Sequence, residues 1–181
     1  MNRIPVLIIV LLITNISFGQ HFTPVDEGSE IEFRVRNFGV NVKGSFKGLS
    51  GEIIFFPDSL AASHFDVTID VKTINTGINQ RDNHLRSEDY FEVEKYPGIR
   101  FESTKITTST NDAYLFVFGK LTIKDVTKET SFPFKATPKD KGFFFEGEFA
   151  LNRRDYNVGG SSLSMGDSVR VSLKVLAKRG E

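Results

Sequence analysis

The 181-residue chain balances 23 Lys and Arg against 23 Asp and Glu, so no global field draws it to nucleic acid or to an anionic membrane surface. It has no cysteine and only three histidines, which rules out disulfide staples and argues against a structural zinc site. Phenylalanine is the anomaly: 18 residues against four Tyr and no Trp, so much ring surface without a polar handle must face something dry.

The first segment reads as a secretory signal peptide. Arg3 gives a positive start, Ile4 to Ile13 is aliphatic apart from Pro5, and small residues follow at Ser17 and Gly19. Cleavage after Gly19 is expected, with Gln20 as the mature N-terminus. The apolar run of about ten residues is short of the roughly 20 that span a bilayer, which disfavours an uncleaved anchor. No cysteine follows it, so a lipidated N-terminus is not expected. The expected product is one exported domain, residues 20–181, periplasmic or secreted, with no stable membrane insertion. Loss of Arg3 leaves it a single net negative charge.

Beyond Gln20 the dominant pattern is alternation with period two, the mark of strands with one buried face. Ile31, Phe33 and Val35 alternate with Glu30, Glu32 and Arg34. Val40 to Phe46 continues in this style, with Gly44 where a side chain is expected. Gly48-Leu49-Ser50-Gly51 has the composition of a turn, and Glu52 to Phe56 makes the next strand. Asp58 to Ala62 suits a brief helical turn. Phe65, Val67, Ile69 and Val71 form the cleanest alternation in the chain.

Residues 78–94 break the rhythm: Ile78, Leu85, Tyr90 and Phe91 do not alternate, and a short helix or ordered loop over a barrel end is expected there. Strands resume at Ile99 to Ser103. Tyr114 to Ile123 is apolar on both parities, with Val117 and Leu121 on one face and Phe116 and Phe118 on the other. Thr130 to Ala136, Gly142 to Leu151 and Ser168 to Ala177 complete about eight strands at hairpin spacing. The predicted fold is all-β, an antiparallel barrel or sandwich.

Several stretches resemble the YceI-like family. Arg81-Asp82-Asn83-His84-Leu85-Arg86-Ser87-Glu88-Asp89-Tyr90-Phe91, followed by Tyr96-Pro97-Gly98-Ile99-Arg100-Phe101-Glu102-Ser103, is similar to its signature. Gly44-Ser45-Phe46 with Gly51-Glu52-Ile53 is similar to its early hairpin. The run Gly119 to Lys128 also matches, with Asp125 where Gly is usual, as does Leu151 to Val158. The resemblance covers the mature chain in order. It implies an eight-stranded, lipocalin-like antiparallel barrel that holds a long isoprenoid or similar lipid without catalysis, for carriage, storage or protection. It implies no cofactor beyond that lipid.

The residues reach a compatible place independently. Eight strands close a barrel that is either filled by side chains or holds one small ligand. Phe33, Val35, Phe46, Val67, Ile69, Phe101, Val117, Phe145 and Val171 are the candidate apolar lining, and Leu85, Tyr90 and Phe91 the candidate closure of one mouth. Arg81, Asp82 and His84 are read as a hydrogen-bonded brace or headgroup contact, with Arg81 forked onto a carboxylate. Arg153 and Asp155 are read as turn anchors or headgroup contacts. No metal site is expected, because His21, His64 and His84 lack ligand spacing. If Phe116 and Phe118 point outward, they offer a strip for a homodimer. Two rival readings stay open: an enzyme for a hydrophobic substrate using His84 and Asp82 as acid and base, and a solid-core module serving as an interaction or stress-response partner.

Overall fold

The computed structural model describes residues 20–111 and 113–180, so the expected signal peptide lies outside the described residues. Eight antiparallel strands run β1 (His21–Asn37), β2 (Val40–Ile54), β3 (His64–Asn75), β4 (Gly98–Thr108), β5 (Leu115–Ile123), β6 (Val126–Lys139), β7 (Gly142–Asn152) and β8 (Met165–Arg179). Each pairs with its sequence neighbour, and β8 returns to pair with β1, so the sheet closes as a barrel without a free edge. One helix, α1 (Asn79–Arg86), lies in the β3–β4 connection, where the alternation lapses. Short 3-10 turns occupy Leu60–Ala62 and Arg153–Tyr156.

Two strands are longer than the alternation suggests. Gly48 to Gly51 is not a turn: it lies inside β2, where the pairing with β3 slips twice. Gly48 and Gly51 take φ of +74° and +108°, and the strand continues through the bulge. β1 likewise starts at His21, and its register slips between Val25 and Glu30. Side chains replace the lost ladder bonds in this polar stretch. Asp26 accepts the amides of Gly48 and Leu49 at 2.9 Å each. The Ser29 hydroxyl donates to Val25 O at 2.5 Å and accepts from Leu176 N at 2.8 Å. Asp26 therefore ties the irregular part of β1 to that of β2.

Gly44 has a different reason. It pairs with Phe33, whose ring lies over it on the inner face, and a Cβ would collide with that ring. The missing side chain makes room for the neighbouring one.

The two barrel ends differ. One end holds the chain termini of the sheet and the β2–β3, β4–β5 and β6–β7 turns. It is sealed by a cluster including Phe22, Phe55, Phe65, Phe134 and Phe145, with Phe143 packed against it. Phe145 meets Phe55 and Phe65 edge-to-face at ring separations of 5.3 Å. This geometry suits the ring quadrupoles. Phe145→Ala should therefore cost about 3–5 kcal/mol, read as a lowered midpoint in urea unfolding. The other end, here the α1 end, carries the β1–β2 and β5–β6 turns and is covered by residues 76–97 and 153–164.

Candidate ligand cavity

Between the phenylalanine floor and the α1 end lies a cavity of about 220 Å³. Its wall is hydrocarbon almost throughout, and it is not sealed from solvent. A water needs only about 10–15 Å³ of such space, so this void is many times larger than a packing defect. Side chains that point inward, such as Val67, Ile69 and Val171, are only half-buried because they face this open space.

Every residue expected on the lining is found on this wall. β1 brings Phe33 and Val35, β2 Phe46, and β3 Val67 and Ile69. Phe101, Val117, Phe145 and Val171 come from β4, β5, β7 and β8, while Leu85 descends from α1 and Tyr90 and Phe91 from the segment after it. The wall also includes residues the sequence reading passed over. Phe132 and Phe149 stack at 4.8 Å between ring centres. Val169, Leu173 and Val175 share the face of Val171, an alternation visible in β8. Val158 lies at the rim on irregular backbone and Met165 at the first position of β8 beside a register slip, where no period marks them.

The polar groups brace the cover over the α1 end. Asp82 is buried and accepts from the Thr76 amide at 2.9 Å and from the Thr76 hydroxyl. Arg81 does not fork onto a carboxylate: its Nε donates to Thr76 Oγ1 at 2.7 Å and its Nη2 to Thr76 O at 2.8 Å. The carboxylate beside it is already turned to the Thr76 amide and hydroxyl, so the guanidinium takes the neighbouring carbonyl instead. Arg86, which the sequence reading missed, pins α1 to β3 by donating to Lys72 O and Ile74 O at 2.8 Å each. His84 stands exposed, 3.7 Å from Asp89 and edge-on to Tyr90, and neither it nor Asp82 lines the cavity.

Arg153 is buried where β7 ends. It donates to the carbonyls of Val158 at 2.8 Å, Gly160 at 3.0 Å, Gly166 at 3.1 Å and Met165 at 3.4 Å, and to Asp167 Oδ1 at 2.8 Å. One side chain thus organises the whole β7–β8 connection. Tyr90 packs against Gly159 beside that guanidinium, joining the two covers over the cavity. Asp155 lies on the surface, 3.9 Å from Lys128, away from the cavity. Phe116 and Phe118 do point outward, with rings 5.3 Å apart. Among the described residues no helix is long and apolar enough to cross a membrane.

Burial pushes the Tyr156 phenol above its ordinary value, and the Asp155 carboxylate adds to the rise. The folded state therefore holds this proton more tightly than the unfolded chain. The stability this contributes is full below the ordinary phenol value of about 10 and is lost as pH climbs through the raised folded value. Tyr156→Phe should move alkaline unfolding to higher pH, as followed by circular dichroism.

Comparison with known proteins agrees with this architecture. Two curated relatives are similar in sequence: protein YceI of Escherichia coli, 31% identical over 71% of this chain and 70% of its own length, and a UPF0312 protein of Photorhabdus laumondii, 38% identical over 54% of this chain. The match spans about half the length of the Photorhabdus protein. Among solved structures, BcnA of Burkholderia cenocepacia superposes with a TM-score of 0.76 at 24% identity, covering 81% of this chain and 94% of its own. A polyisoprenoid binding domain from Saccharophagus degradans superposes with a TM-score of 0.71 at 14% identity, covering 90% and 100%. These two likenesses are of fold. The model of the YceI-like domain matches residues 22–177, and the chain belongs to the YceI-like family.

Proposed function

We propose that this protein is an exported, non-catalytic carrier or store that holds one long apolar chain, of isoprenoid or similar type, inside the barrel. The observation that carries the reading is the unsealed, hydrocarbon-walled cavity above the phenylalanine floor. Such a ligand needs only dry walls. Each buried methylene contributes about 0.8 kcal/mol, so affinity grows with the length of chain the walls take up, against an association cost of ~4–15 kcal/mol.

Family membership supports the reading, as does the likeness to a domain that itself binds polyisoprenoid. The polar clusters favour binding over catalysis. Asp82 is engaged with Thr76, His84 faces solvent, and Arg153 is saturated by the loop it holds. The signal-like composition of residues 1–19 supports export, and with it a periplasmic or secreted location.

The test is organic extraction of protein purified from its own host, with mass analysis of the extract, alongside titration with a fluorescent polyprenol. The expected result is a stoichiometric long-chain lipid and saturable uptake of the probe. A lipid-free protein that also refuses the probe would overturn the reading.

A further inference from the structure

The α1 end carries most of the large apolar side chains that the fold leaves in water. Phe38 is 82% exposed, Val40 66% and Ile78 53%, and Leu163 is fully exposed; among the described residues only Phe118 joins them, on the side of the barrel. Three of these sit together. The Phe38 amide donates to Ser164 O at 2.8 Å, so the tip of the β1–β2 turn lies beside the loop that carries Leu163. Asn37 pairs with Met165, and Met165 and Val35 are on the cavity wall. The exposed patch is therefore continuous with the cavity rim.

Folding does not account for Phe38. It occupies the first central position of a two-residue hairpin turn with φ of +47°, followed by Gly39 at +77°. Such turns favour Asn, Asp or Gly, and a bulky residue held there is an outlier. An aromatic ring at this site is opposed by the backbone and left in water by the fold. Strain of this kind concentrates where a protein meets something else.

The patch carries one charge, the Arg36 guanidinium, whose Nε donates to Gly39 O at 3.3 Å; the two segments that build it carry none. Residues 37–42 and 156–166 contain no Asp, Glu, Lys, Arg or His, in a chain of which a quarter is charged. A surface entering a low-dielectric layer must be built this way, since an ionised group would resist the transfer.

We propose that Phe38, Val40 and Leu163 form a bilayer-docking tip that enters the boundary between headgroups and acyl chains and sets the cavity rim against hydrocarbon. This rests on the lipid-carrying reading, because a ligand held by dry walls has its reservoir in a membrane. A ligand passing from bilayer to cavity through such a contact never crosses water. With Arg36 the one charge held against the turn and free to stay at headgroup level, insertion of apolar side chains drives the docking, so its dependence on salt is weak.

The test compares the wild-type protein with the double variant Phe38→Asn, Leu163→Ser. Both positions are exposed and off the cavity wall, and Asn suits the left-handed turn, so the thermal midpoint should hold or rise. Co-sedimentation with phosphatidylethanolamine and phosphatidylglycerol vesicles, at low salt and at about 0.15 M salt, reads docking without any cargo. The wild type should partition onto vesicles at both salts, and the variant about tenfold less. Transfer of a fluorescent polyprenol from vesicles should slow by a similar factor, while uptake of the same probe added in ethanol stays unchanged. Equal partitioning of the two proteins, or a wild type that ignores vesicles, would overturn the docking tip. So would a wild-type dimer that the double variant dissolves, since a second copy would then cover the patch. Vesicle binding that depends on Phe38 and Leu163, with no uptake of probe by either protein, would uphold docking and overturn the cargo reading alone.

Discussion

Replacing Arg153 with Met is expected to lower stability by about 2–4 kcal/mol and to loosen the cover of the α1 end. The guanidinium is buried and serves four backbone carbonyls and Asp167. Asp167 is itself partly exposed and can return to water, so its charge is not stranded. The carbonyls of the Val158–Gly166 loop are the groups at risk, and a buried acceptor left without a donor costs about 1–3 kcal/mol. Urea unfolding measures the loss. Hydrogen exchange at the Asn157 and Val158 amides, which bond to the Arg154 and Arg153 carbonyls, should rise well before global unfolding. Lys at this position should not rescue, because one ammonium cannot span acceptors that a planar fork reaches in several directions.

Val171→Trp is expected to have the opposite profile, with ligand uptake lost and the fold kept. Val171 faces the cavity from β8, opposite Phe33 on one neighbouring strand and Phe149 on the other. An indole added there enters open space. The stability change should stay below the roughly 1–3 kcal/mol that overpacking a filled core would cost. Uptake of a polyprenol probe should fall by at least about tenfold, because the added ring removes several methylenes' worth of dry wall at about 0.8 kcal/mol each. A solid interior would give the reverse, with the variant unfolding and no uptake to lose. The pair of measurements therefore separates a carrier from a packed interaction module.

The inner face was legible because it depends on one local property, the alternation of apolar and polar residues along a strand. Phe65 to Val71 and Ser168 to Ala177 show this directly, and both lie where the alternation puts them. The bulges, near the start of β1 and in the second half of β2, were hidden. There the backbone bonds to Asp26 and Ser29 rather than to the next strand, and polar residues with two glycines resemble a turn. The partners of Arg81 and Arg86 were hidden for a related reason, since both side chains reach backbone carbonyls whose position depends on how the β3–β4 segment folds back. Whether the interior is full or hollow is not a local property at all. It depends on the barrel radius and on the gathering of Phe55, Phe65, Phe134 and Phe145 at one end, which leaves the rest unfilled.

That gathering also gives the barrel a direction. A tube stoppered at one end would take in and release a linear molecule by the other, past the cover that residues 76–97 and 153–164 lay over it. Held tail first, such a molecule would leave its most polar part beside Met165 and Tyr90, and the distance down to the rings of Phe55 and Phe145 would act as a ruler for chain length. Shaving the stopper lengthens the ruler, whereas changes at the rim leave its scale untouched.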